Sequence, residues 1–302
     1  MFVRTNLFYH FIFIELSRNL FHCVIKRGLS LSTLKLVTLP IGNLSDITPR
    51  ALETLNSERL FLAEDTRNLR KIFDLLGVDG SHKDVDSFHD HSKDKIDYYV
   101  SKLKSGNNYV LVSDAGSPVI SDPAFPLVKA CIDAGITIES CPGVSAVIAA
   151  LELSGLPPQP FTFYGFTPRE DSKKKETFKN LLQYSGTFIY FESPHRLTKT
   201  LKVLADVLPE SNIAVARELT KKFETVYRFK AKDWESVEIK SVGEIVLLIN
   251  HQSSEKSVEG KKLESLALEY LENKQSKKNL AKILAEILDE NPKVIYQQLN
   301  QE

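Results

Sequence analysis

The chain has 302 residues, more than one ordinary domain holds and a good match for two. An apolar fraction of 42% and a charged fraction of 26% are those of a chain that buries a real core, which excludes wholesale disorder. The 39 basic side chains balance 39 acidic ones, which excludes a protein that coats nucleic acid through bulk charge, and Cys23, Cys131 and Cys141, none in a CxxC pair, argue against a disulfide framework or a zinc site. The balance is not uniform: residues 169–232 carry 14 Lys and Arg against 8 Asp and Glu, either a solvated helix surface or a local basic face.

Residues 1–34 differ from the rest. Residues 7–14 are apolar and aromatic, broken by His10, and Glu15 and Arg18 end the run too soon to span a bilayer. Arg27 followed by Gly-Leu-Ser-Leu-Ser is compatible with an organelle transit peptide, but the segment reads first as an extension outside the fold. The segment is set apart as a non-core extension. It leaves two destinations open: the cytoplasm, or an organellar matrix if it is a transit peptide.

From Lys35 onward, strand-like and helix-like segments alternate. Residues 34–39 (LKLVTL) read as a first strand, and Thr48 before Pro49 as a hydroxyl cap with proline in the first helical turn. Residues 59–65, 108–114 and 136–141 read as further strands, with helices over 125–134 and 145–153, and Thr66 as the cap of a helix through Phe73. This pattern predicts a mostly parallel sheet covered on both faces. The proline cluster at 157–160 marks a linker, giving a first α/β domain over 35–155. A second follows over 156–252, with strands near 161–166, 187–193, 212–218, 223–229 and 244–250. The closeness of the last strands predicts antiparallel pairing. Residues 253–302 form a helical appendage of three amphipathic segments (261–273, 276–290, 291–299), with Ser276 and Asn291 as caps.

The chemistry gathers at strand ends, where open α/β sheets bind ligands. Pro40, Gly42 and Asn43 follow the first strand, and Glu64, Asp65 and Arg67 follow the second. Asp114, Ala115, Gly116 and Ser117 follow the third, with Ser121 and Asp122 close behind. Asp114 suits ribose hydroxyls or an amino group, and Gly116 lets the backbone lie against a ligand. Pro142, Gly143, Ser145 and Ala146 leave room for a flat ring at a helix start. No GxGxxG or Walker A pattern is present, which disfavours dinucleotide and ATP binding. In the second domain Glu192, His195 and Arg196 cluster beyond one strand and Arg217 and Lys221 beyond another, where basic groups can position phosphates.

Taken in order, the strings PIGNLSDITPRALETL, AEDTR, SDAGSPVISDP, PGVSAVIAAL, ESPHR and RELTK closely resemble the small-subunit rRNA 2′-O-methyltransferase I branch of the tetrapyrrole methylase superfamily. The likeness covers some seven-eighths of the chain. Leu39 stands where that family usually has threonine, Asn68 where it has histidine, and Ser117 where it has threonine. The resemblance implies a tetrapyrrole-methylase (class III methyltransferase) fold of two α/β domains with a cofactor cleft between them, and a homodimer. It implies S-adenosylmethionine as methyl donor, no metal, and a cytidine ribose of small-subunit ribosomal RNA as acceptor, met on the free RNA or in the ribosomal subunit. It assigns the loops at Pro40–Asn43, Asp114–Ser117 and Pro142–Ala146 to the cofactor, with Gly165, Phe166 and Glu244 closing the cleft. Glu64, Asp65, Glu192 and His195 are the candidates for assisting the acceptor hydroxyl. Arg67, Arg196, Arg217 and Lys221 are the candidates for RNA phosphates. A porphyrin-precursor methylase shares fold and cofactor, and a non-catalytic RNA- or ribosome-binding module is the rival from another class.

Overall fold

The computed structural model describes residues 32–89, 95–120, 124–253, 277–288 and 291–300. The expectations for the N-terminal extension up to residue 31, the helix at 261–273, the Ser276 cap, and Ser121 and Asp122 lie outside the described residues.

The first sheet has the order β3-β2-β4-β1-β5, where β1 is Thr33–Val37, β2 Leu60–Ala63, β3 Asp84–Ser87, β4 Tyr109–Val112 and β5 Thr137–Cys141. All four pairings are parallel, so the carboxyl ends of the five strands share one edge. Side chains alternate across the sheet. Phe61 and Phe73 pack on one face with Leu55, while Leu62 packs on the other with Leu103 and Leu127. Helix α1 (Pro49–Ser57) begins as the sequence predicts, Thr48 Oγ1 accepting from the Ala51 N–H at 3.2 Å. Helix α2 (Thr66–Leu76) is capped one residue earlier than expected: Asp65 Oδ1 accepts from the Arg67 N–H at 2.8 Å, and Thr66 is the first helical residue. The sequence reading also passed over β3 and helix α3 (Ile96–Lys104). β3 is a polar edge strand whose Asp84 and Asp86 are exposed, a composition that protects an open edge and gives no hydrophobic signal. Helix α4 (Phe125–Asp133) leads back into β5.

The second sheet has the order β6-β7-β10-β8-β9, with β6 Phe161–Phe166, β7 Gly186–Glu192, β8 Asn212–Arg217, β9 Thr225–Lys230 and β10 Ile245–His251. β6 pairs parallel with β7, and the remaining three pairs are antiparallel, as the short connections predict. The central strand β10 is buried on both faces. Ile245, Leu247 and Ile249 meet Leu197, Leu201 and Leu204 of helix α7 (Pro194–Val207), next to Phe178 of helix α6 (Asp171–Leu181). Val246 and Leu248 meet helix α5 (Ala146–Ser154) on the other side.

That placement of α5 differs from the sequence reading, which assigned the helix to the first domain. Its Val147, Ala150 and Leu151 pack on Ala214, Ala216, Val246 and Leu248 of the second sheet. Burying each of its larger aliphatic side chains contributes about 1.5–3 kcal/mol. Arg228 of β9 ties down the far end of α5, its Nε donating to the Ser154 carbonyl at 2.9 Å and its guanidinium also reaching the Leu153 carbonyl. The chain therefore crosses from sheet to sheet between β5 and α5, within residues 142–145. Helices α8 (Lys277–Leu288) and α9 (Pro292–Gln298) pack on each other through Ala281, Ala285 and Ile295, and Asn291 caps α9. No helix among the described residues is long and apolar enough to cross a membrane.

Candidate active site

The loops at the carboxyl edge of the first sheet hold one another through main-chain bonds. The Leu39 N–H donates to the Gly116 carbonyl and the Gly116 N–H to the Leu39 carbonyl, each at 3.0 Å. Gly116 takes a φ of +73°, a left-handed conformation that a side chain would strain. Leu39 itself is 1% exposed and packs in the core with Val37 and Leu55. The position that departs from the family's threonine thus contributes its backbone to the loop and its side chain to the interior. Ser113 Oγ donates to the carbonyls of Ala115 and Gly116. Asp114 Oδ1 accepts from the Asp65 N–H at 3.3 Å, which ties the β4 loop to the β2 loop. Thr48 Oγ1 leans toward the Pro142 carbonyl at 3.5 Å, and a Cβ on Gly143 would stand 3.0 Å from the Thr38 methyl, so the third loop sits tightly against the first.

Facing these loops is the edge of the second sheet where β7 ends and β10 begins. Between them lies a cavity of about 390 Å³. Ile41, Ala115 and Ala146 line it from the first-sheet side and from α5, and Phe166, Phe191, Glu192, Leu219, Glu244 and Val246 from the second. A recess of about 180 Å³ continues it along Gly116, Ser117 and Ser145. Of the residues expected at the cofactor, Ala115, Gly116, Ser117, Ser145, Ala146, Phe166 and Glu244 line this space. Pro40, Asp114, Pro142, Gly143 and Gly165 lie in the segments that carry the lining. Gly42 and Asn43 instead face an adjoining open concavity shared with Thr220, Lys221 and Lys222. Ile41 falls within the expected Pro40–Asn43 loop, while the sequence reading missed Phe191, Leu219 and Val246. These are apolar residues at strand ends or in strands, and nothing in their type distinguishes a cavity wall from core.

The four acid–base candidates occupy different settings. Glu192 is 3% exposed and lines the cavity. Its carboxylate accepts from Thr167 Oγ1 at 2.6 Å, from the Ser193 N–H at 2.7 Å and from Thr200 Oγ1, and it pairs with Arg196 at 2.9 Å. His195 is exposed in the first turn of α7, one residue beyond the cavity-lining Pro194. Asp65 pairs with Arg67 at 2.8 Å, and the Arg67 side chain and N–H pull its carboxyl down to about 2. Glu64 is exposed beside it.

The four phosphate candidates also diverge. Arg67 is exposed. Arg196 is partly exposed, held by Glu192 and by the Thr167 carbonyl. Arg217 is 6% exposed and donates to the carbonyls of Val242 at 2.6 Å and Phe223 at 3.1 Å, a structural engagement beneath the β8–β9 loop. Lys221 lies between Glu218 at 3.0 Å and Glu244 at 3.1 Å. A basic residue at a strand end does not reveal in sequence whether it turns outward or supports a loop.

A family model described as Tetrapyrrole (Corrin/Porphyrin) Methylases matches residues 33–235. In fold, the chain is similar to the crystal structure of the methyltransferase CobJ (TM-score 0.56, 17% identity, 73% of this chain and 94% of that one). It is similar to diphthine synthase as well (TM-score 0.55, 14% identity, 72% and 90%). Much closer in sequence is a protein of Xylella fastidiosa named Ribosomal RNA small subunit methyltransferase I, 37% identical over 273 residues, 87% of this chain and 97% of that protein. Proteins of the same name from Haemophilus influenzae (37% over 271 residues, 87% and 95%) and Bacillus subtilis (44% over 196 residues, 65% and 66%) are also similar. The chain belongs to the tetrapyrrole methylase family and, within it, to the ribosomal RNA small subunit methyltransferase I family. It is a methyltransferase, and its methyl donor is S-adenosylmethionine.

The cleft fits that donor. Its volume lies within the range of small-molecule sites, and its walls are mainly apolar, as a flat heteroaromatic ring requires. At Gly116 the left-handed backbone excludes a side chain without strain, so the recess is bordered there by bare main chain. Glu192 and Glu244, each already paired with a basic side chain, bring carboxylate oxygens to this wall.

Proposed function

We propose that this protein methylates the ribose 2′-oxygen of a cytidine in small-subunit ribosomal RNA, acting in the cytoplasm as a homodimer. The observation that carries the reading is the cavity between the sheets, walled by the sequence strings that mark the rRNA branch, in a chain that matches a relative of that name over 97% of its length. The cofactor supplies an electrophilic methyl on a sulfonium. Ala115, Gly116, Ser117, Ser145, Ala146 and Phe166 hold it in the cleft, with Pro40, Gly42, Asn43, Asp114, Pro142, Gly143, Gly165 and Glu244 as supporting or closing residues. Ser121 and Asp122 belong to the same proposed set.

A ribose hydroxyl is a weak nucleophile, so in-line placement is the first requirement. Removing its proton is the second. We assign that proton to His195, which is exposed at the start of α7, next in the chain to the cavity-lining Ser193 and Pro194. Glu192, engaged by four partners, holds Arg196 at the cavity mouth for an RNA phosphate. Glu64 and Asp65, with Arg67 paired to Asp65 and the Asp65 N–H on Asp114, are assigned to orienting the acceptor strand. The test is methyl transfer from labelled S-adenosylmethionine to small ribosomal subunits, with uroporphyrinogen in parallel. Label is expected in a ribose 2′-oxygen of the RNA, and label only in the porphyrin precursor would overturn the substrate. His195→Ala is expected to lower turnover by about 10²–10⁴ while cofactor affinity persists. Unchanged turnover would remove His195 from the proton step.

A further inference from the structure

The β8–β9 loop, residues 218–224, is built as a rigid platform. Glu218 and Thr220 both take left-handed backbone conformations, with φ of +52° and +65°, unusual for residues with side chains and sustained only where surroundings enforce them. The enforcement is visible. The Glu218 N–H donates to the Glu244 carbonyl at 2.9 Å, and the Glu244 N–H returns to Glu218 Oε1 at 3.0 Å. The Lys221 N–H meets the Glu218 carbonyl and the Glu224 N–H meets the Lys221 carbonyl, both at 3.0 Å. Glu224 folds back to accept from the Thr220 N–H at 2.7 Å. Arg217 supports the turn from below through the Phe223 carbonyl.

This scaffold turns Arg217 and Lys221 inward and leaves two other side chains facing out. Lys222 is exposed and has no carboxylate partner among the described residues, since Glu224 is bound within the loop and Glu218 and Glu244 are taken by Lys221. Phe223 is 62% exposed, and Lys222 Nζ stands 5.6 Å from its ring centroid. The same loop sends Leu219 into the cavity and Lys221 and Lys222 into the concavity beside Gly42 and Asn43, so the pair stands on a loop that borders both the cavity and the proposed cofactor loop. An unneutralised cation next to an exposed aromatic ring, on a loop that loses little freedom when bound, is the chemistry that grips single-stranded nucleic acid: the ring stacks a base and the ammonium meets the phosphate.

We infer that Lys222 and Phe223 form the contact for an unpaired nucleotide flanking the methylated one, and that Arg217 is the positioning residue that holds this contact in place. The inference rests on the RNA reading above. The experiment uses the full chain and small ribosomal subunits that lack the methyl group, measuring KM, kcat, cofactor affinity and subunit binding against salt. Phe223→Ala is expected to raise KM for the subunit by about ten-fold with cofactor affinity unchanged. Phe223→Tyr restores the wild-type KM and Phe223→Leu does not, because stacking rather than bulk is required. Lys222→Ala is expected to flatten the slope of log affinity against log salt by about one. A Phe223→Leu enzyme with wild-type KM, or an unchanged salt slope in Lys222→Ala, would overturn the inference. So would a shift of Phe223→Ala from dimer to monomer in sedimentation, which would make the ring a subunit contact. If the wild-type enzyme transfers no methyl group to the subunits, the RNA reading fails first and this inference falls with it.

Discussion

Glu192 shows how much a single buried acid organises. Its carboxylate joins the end of β7 to Thr167 after β6, to Thr200 in α7 and to Arg196. Removing it orphans two hydroxyls and leaves a partly exposed guanidinium without its anion, and losing the buried partner of such a network is costly. Glu192→Leu is expected to lower stability by about 3–5 kcal/mol, and Glu192→Gln, which keeps acceptor capacity, by less. The half-buried Trp234, the single tryptophan of the chain, packs against the core beneath α7 and reports urea unfolding by fluorescence. Coincident unfolding curves for wild type and Glu192→Leu would show that the network holds nothing together. In sequence, the acid was legible in its string with His195 and Arg196. Its threonine partners were not, since one lies 25 residues upstream and neither carries any local mark. The same limit governs Arg217, which reads as one more basic residue until strand pairing sets β10 on one side of it and β9 on the other.

Among the elements, the start of β10 is the most exacting. Gly243 has a φ of +84°, and a Cβ there would stand 2.5 Å from the Glu218 carboxyl carbon. The Glu244 N–H, and then Lys221, hold the Glu218 carboxyl below the usual carboxylate range, so this acid is charged and fixed where the new methyl would go. Gly243→Ala is expected to cost about 1–3 kcal/mol of stability and to weaken cofactor binding, because Glu244 and Val246 of the displaced strand start line the cavity. Thermal unfolding and calorimetric titration with S-adenosylmethionine check both effects, and unaltered affinity would detach this turn from the site. Buried strands and proline-started helices announced themselves through apolar runs and caps, which is why nearly all the strands were readable. β3 escaped because its exposed acids serve the edge rather than the core. The face that α5 covers escaped because an apolar stripe does not say which sheet will receive it.

For the molecule as a whole, among the described residues the helical pair α8 and α9 packs as a cluster of its own, closed by Lys277 Nζ on the Leu299 carbonyl at 2.8 Å. A chain ending at residue 253 is therefore expected to keep a cooperative thermal transition and its affinity for S-adenosylmethionine. Loss of cofactor binding in that truncated chain would show that the pair supports the cleft. The two-sheet plan and the order of the loops were legible because each loop follows a readable strand. The cavity was not, because its walls come from two sheets that only the folded chain brings face to face.

The passage of the chain from one sheet to the other at residues 142–145 has a structural consequence. The covalent joint between the two halves is also a wall of the ligand cleft, and α5 carries that wall directly onto the second sheet. A shift of one sheet against the other would therefore reshape that wall. The wall and the joint share one short stretch of chain, so a substitution there reaches both the shape of the cleft and the seating of α5 on the second sheet.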